Sequence, residues 1–89
     1  MSPDEILEGR CYRARRPACV HGMVNDRYAI RINRILGTVT YDGPAVAFGR
    51  HYPTVSLETF AKWAKRDVTD ELPPKEWAEW NFAEPEKNK

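Results

Sequence analysis

Seven arginines fall between residues 10 and 34: Arg10, Arg13, Arg15, Arg16, Arg27, Arg31 and Arg34. Guanidinium forks match phosphate oxygens, and the tyrosines interleaved with them, Tyr12 and Tyr28, offer rings on which bases stack. That chemistry is contact with DNA or RNA. The residues assigned to it are Arg13, Arg15, Arg16, Arg27, Arg31 and Arg34. On a strand reading, Arg13, Arg15, Arg27 and Arg31 share one sheet face. The competing reading is a solvated face neutralised by the acidic ends of the same chain. No RNP signature, zinc finger or basic zipper accompanies the arginines, and a single strong helix gives little support to a helix-turn-helix.

A second set is Cys11, Cys19, His21 and His51. Zinc ligands usually arrive as close pairs such as C-x2-C or H-x3-H. Here Cys19-x-His21 has an unusual spacing, and Cys11 and His51 stand alone. Two free thiols and surface imidazoles are the simpler account, and no metal or cofactor is implied. Hydrolysis needs a nucleophile with a positioned base and an orienting acid. Cys19 and Ser56 are the candidate nucleophiles, and Asp42, His51 and Tyr52 lie near one another in sequence as any loop residues do, but Ser56 already serves as a helix cap. The run GPAVAFG lacks the lysine and hydroxyl of a phosphate loop. The expectation is a protein without enzyme activity.

Trp77, Trp80 and Phe82 form an aromatic cluster among acids near the C-terminal end. Such residues anchor protein interfaces. They also fit the alternative that the tail folds back and covers the body. Pro73-Pro74 is a weak signal for a proline-binding module.

The net charge of +1 conceals a separation. Residues 1–9 carry −3, residues 10–34 carry +6, residues 35–66 carry +2 and residues 67–89 carry −4. A local cluster of one sign steers an anionic partner even when the whole chain is near neutral. It also lets the basic half of one copy meet the acidic tail of another, so the expected state is a monomer or a weak homodimer.

Eighty-nine residues at 42% hydrophobic content suit one domain with a modest core. The expected body is residues 1–72, with an acidic lead-in over 1–9. Residues 73–89 are read as a partly disordered acidic tail bearing the tryptophans. No apolar run reaches the roughly 20 residues needed to cross a bilayer. The acidic start lacks the features of a secretion signal, which points to the cytoplasm and to no membrane partner.

The elements follow from pattern. Ser2-Pro3-Asp4-Glu5 opens a helical turn. RCYRAR over 10–15 alternates as a strand that buries Tyr12 and Ala14 and points its arginines outward. ACVHGMV over 18–24 reads as a second strand with Gly22 at a bulge or a close approach. Residues 27–35 fit both periods. As a strand they bury Tyr28, Ile30 and Ile32; as a helix they align Tyr28, Ile32, Ile35 and Leu36. The isoleucines favour the strand, paired as a hairpin with TVTY over 38–41. AVAF over 45–48 suggests another short strand. Ser56 caps a helix over 56–68 whose apolar stripe is Leu57, Phe60, Ala61, Ala64 and Val68.

The segments Gly9-x-x-Tyr12-Arg13, VTYDG and YPTVSLETFAKWAKRDV resemble those of small uncharacterised proteins encoded by tailed phages and prophages. Those proteins are similar to SH3-like barrels closed by a short helix. The resemblance covers residues 9–68. It implies an accessory gene of phage origin and carries over no functional residue.

The fold class is therefore α+β: a small antiparallel sheet or SH3-like barrel of four to five strands with one C-terminal amphipathic helix. The expected core is Tyr12, Val20, Tyr28, Ile30, Ile32, Val39, Tyr41, Val46, Phe48, Val55, Leu57, Phe60, Ala61 and Ala64. The expected function is a small accessory protein contacting nucleic acid through its arginine face. The alternative is an interaction module for an acidic host or phage protein, engaged through the arginines or through Trp77 and Trp80.

Overall fold

Tyr12 lies at the centre of the molecule. Its ring is fully buried and meets Phe60 edge-on, with centroids 5.8 Å apart and planes at 89°. Its hydroxyl accepts from Leu7 N at 2.8 Å and donates to Glu5 O at 3.3 Å. One residue thus ties the helix, the central sheet and the N-terminal segment together. The computed structural model describes residues 1–46, 51–72 and 76–80.

The chain opens with a 3-10 turn, Pro3–Glu5, and then enters β1 (Cys11–Ala14). A short hairpin follows, β2 (Cys19–Val20) and β3 (Met23–Val24). The long hairpin is β4 (Arg27–Asn33) with β5 (Thr38–Asp42). Next come β6 (Thr54–Ser56), α1 (Leu57–Trp63) and β7 (Ala64–Asp67), and a second 3-10 turn spans Thr69–Glu71. Five strands pair antiparallel in the order β6-β5-β4-β1-β7, and β2 pairs β3 in a separate two-stranded sheet. The fold is α+β, a five-stranded antiparallel sheet with one short helix.

α1 starts as its sequence predicts. Ser56 is extended, and its Oγ accepts from Thr59 N at 3.0 Å, satisfying one orphan donor of the first turn. Leu57, Phe60 and Ala61 are buried against Ile6, Tyr12, Ala29 and Val39. The helix ends earlier than the expected residue 68. Ala64 is already extended, with φ −81° and ψ 134°, and the chain continues as β7 along the free edge of β1. Sheet pairing satisfies the backbone of residues 64–67 as fully as another helical turn would, and it also satisfies β1. Ala64 and Val68 remain buried, now as strand-end residues rather than helix-stripe residues.

β1 is buried on both faces, which corrects the expectation of an outward arginine face. Tyr12 and Ala14 share one face, while Cys11 and Arg13 share the other.

β4 carries a second correction. Ala29 faces Tyr41 and Arg31 faces Thr40, so Ile30 is an extra residue in the ladder. This bulge resets the alternation. Arg27 and Ala29 lie on the helix side before it, and Ile32 packs against the core after it. Tyr28, expected in the core, is 39% exposed. The β4–β5 turn presents Ile35 and Leu36 to solvent and closes at Gly37, whose φ is 69°.

The 18–24 segment is not one strand with a bulge. His21 and Gly22 have φ of 53° and 79° and form the two-residue loop of a hairpin. Both positive φ values suit the type I′ geometry that matches strand twist. Residues 45–46 of the expected AVAF strand lie in a turn, with Val46 N donating to Gly43 O at 2.9 Å. Phe48 lies outside the described residues. Gly43 is buried, and a Cβ there would sit 2.4 Å from Asp26 O, so the β5 exit needs a glycine. No helix among the described residues is long and apolar enough to cross a membrane.

Candidate functional site

The six assigned arginines do not share a face. Arg13 is buried, and its Nε and Nη2 donate to Asp26 Oδ1 and Oδ2, each at 2.9 Å. That hydrogen bond raises the Arg13 pKa further, and the fork is spent on a structural partner. Arg34 donates to Pro3 O at 3.2 Å and Ile6 O at 2.6 Å, pinning the N-terminal segment to β4. Arg10, outside the assigned set, pairs with Asp67 at 2.7 Å and reaches Asp70 at 3.4 Å. Arg16 and Arg31 are exposed on separate parts of the surface, Arg31 on the outer side of β4 opposite Thr40.

Two assigned arginines do converge, at Trp63. The first is Arg27. Its guanidinium carbon lies 4.2 Å from the Trp63 ring centroid, 4.5 Å from that of Tyr41 and 5.9 Å from that of Phe60. Burial lowers its pKa from the usual arginine value, although an arginine at this position stays protonated. It makes no ion pair with a described residue. Among the described residues no buried side-chain nitrogen or oxygen lacks a hydrogen-bond partner, so the N–H groups of Arg27 reach water. The aromatic rings hold the half-buried cation in place and leave its donors unspent.

The second is Arg15. Its backbone N donates to Trp63 O at 2.9 Å, and its Nε donates to Lys62 O at 2.8 Å. These bonds follow from the early helix end, since the last carbonyls of α1 need donors. They fix the Arg15 stem and leave its terminal nitrogens exposed beside Lys62. Arg15, Arg27, Lys62 and the half-buried Trp63 form a basic aromatic edge where α1 meets the end of β1. Both arginines belong to the set assigned from sequence, which placed them on one outward sheet face. Neither Lys62 nor Trp63 belongs to that set.

The C-terminal tryptophans occupy a different place. Residues 76–80 run along β3: Met23 and Glu79 form an antiparallel bridge, Val24 N donates to Ala78 O at 2.9 Å, and Trp80 N donates to Gly22 O at 3.0 Å. The segment adds a third extended piece to the β2–β3 hairpin. Trp77 and Trp80 are half-buried and line an open cleft of about 540 Å³ together with His21, Met23, Glu76 and Glu79. Phe82, grouped with them in sequence, lies outside the described residues.

Other candidate chemistry stays apart. Cys11 and Cys19 are both free, the first buried and the second exposed. Burial pushes the Cys11 thiol up to about 12, so it is protonated and inert at neutral pH. Among the described residues no group of three or more His, Cys, Asp or Glu side chains could hold a metal ion. Asp42 Oδ1 accepts from Gly43 N at 2.7 Å, a turn contact.

Comparison with protein-family models, with curated proteins and with solved structures returns no match. The resemblance to phage-encoded proteins rests on the quoted sequence segments alone.

Proposed function

We propose that this protein is a small accessory binding protein that contacts single-stranded nucleic acid through the edge formed by Arg15, Arg27, Lys62 and Trp63. One observation carries the reading: the Arg27 guanidinium lies over Tyr41 and Trp63 with no ion-pair partner among the described residues. The rings fix the half-buried guanidinium while its N–H donors face water, so the fork is placed to meet an anion without breaking an internal bond. Among the described residues every carboxylate that pairs with an arginine engages Arg10, Arg13 or Arg66. A phosphate oxygen is the anion that a guanidinium fork matches best.

The edge favours a single strand over a duplex. Arg27 lies over the Trp63 ring and Phe60 packs against it, so the flanking cations supply the phosphate contacts, and only an unpaired base can reach the part of the indole left exposed. Four residues make a small footprint, so affinity depends on salt through only a few phosphate contacts. Titration of labelled single-stranded and duplex oligonucleotides at two salt concentrations tests the reading. Preference for the single strand, with Arg15→Gln and Lys62→Gln each weakening binding, is the expected result. Equal binding of wild type and the double variant would overturn it.

A further inference from the structure

The cleft between the β2–β3 hairpin and residues 76–80 has the opposite chemistry to the Trp63 edge. Two indoles and the Met23 side chain supply its apolar surface, and Glu76 and Glu79 stand exposed beside them. Among the described residues no lysine or arginine lines it. Neither carboxylate makes an ion pair with a described residue. The hairpin loop shapes one wall: positive φ at His21 and Gly22 turns the chain sharply, and Trp80 N is bonded to Gly22 O.

We infer that this cleft binds the cationic side chains of a basic peptide segment. Indole faces attract guanidinium and ammonium groups, and more strongly where water is partly excluded. The carboxylates supply the matching charge and select against anions. A volume of about 540 Å³ exceeds what one side chain fills and suits a short stretch of peptide. The sign of the site reverses the sequence-based expectation for Trp77 and Trp80. An acidic partner meets repulsion from Glu76 and Glu79, and a basic one meets attraction. The same chain then presents two docking surfaces of opposite preference, an anion-seeking edge at Trp63 and a cation-seeking cleft at Trp77.

The test is a titration of the isotope-labelled full chain with a capped hexa-arginine peptide, followed by amide and indole resonances. The expected result is saturable shifts confined to residues 21–23 and 76–80, with a capped hexa-glutamate peptide producing none. Glu76→Gln with Glu79→Gln weakens binding by about tenfold, and Trp77→Ala does the same through the lost ring. The glutamates are exposed, so their double variant decides the matter even where Trp77→Ala perturbs the tail. Three results would overturn the inference: no shifts at millimolar peptide, shifts centred on the acidic residues 4–8, or unchanged affinity in the double glutamine variant.

Discussion

Arg13 and Asp26 form a bidentate ion pair with both side chains buried, joining the middle of β1 to the residue that precedes β4. Removing one partner leaves the other charged and unmatched. Arg13→Met alone, or Asp26→Leu alone, should cost about 3–5 kcal/mol, and the double replacement should recover most of that loss. Urea unfolding of the four proteins measures the cycle. Additive losses would show that the two residues act separately.

Arg13 explains why an arginine count misleads here. In sequence it is one of seven similar cations, and nothing local separates it from Arg15 or Arg31. Burial of both β1 faces makes the difference, and that depends on Asp26 reaching Arg13 and on Val68 and Thr69 closing over Cys11. The β4 phase was hidden for a related reason. Alternation of Tyr28, Ile30 and Ile32 is a regular strand pattern, and only the pairing with Tyr41 and Thr40 reveals Ile30 as the inserted residue. What was legible was strongly local: the Ser56 cap, the Leu57, Phe60 and Ala61 stripe, and the β4–β5 hairpin. The early helix end at Trp63 was not, because the preference of residues 64–68 for helix yields to the unpaired edge of β1.

The two thiols should react very differently. Cys19 is exposed and should react promptly with a thiol reagent under native conditions, whereas Cys11 should react only after unfolding. Counting fast and slow thiols spectroscopically checks this. Two fast thiols would place Cys11 at the surface.

Cys11 also predicts an alkaline limit. Its folded pKa is raised to about 12, above the unfolded value of about 8.5. The folded state therefore keeps a proton that the unfolded chain releases. Its stabilising effect is complete below about pH 8.5 and falls away as pH rises from there toward the folded value, by up to about 1.4 kcal/mol per pH unit. Burial raises the Tyr12 pKa as well, with the same sign and a later onset. Cys11→Ala should flatten the first part of the decline in denaturant midpoint between pH 8.5 and 10.

Acid should loosen the β1–β7 edge. Burial opposes ionisation of Asp67, yet hydrogen bonds from Arg10 and Thr69 outweigh it and hold its pKa below the ordinary carboxylate value. A depressed folded pKa stabilises above the unfolded pKa and loses that effect as pH falls through the folded one. Asp67→Asn should lower stability at neutral pH and make the acid-side decline shallower. An unchanged acid profile would remove Asp67 from the account.

The most direct measurement is fluorescence anisotropy of a labelled single-stranded oligonucleotide titrated with wild-type protein and with Arg27→Lys. Lysine keeps the charge but loses the planar fork that lies over Tyr41 and Trp63 and could grip a phosphate with two donors. The account predicts salt-sensitive binding by the wild type and about tenfold weaker binding by Arg27→Lys, at unchanged helix and sheet content. Equal affinities for the two proteins, or no binding by the wild type at low salt, would contradict it.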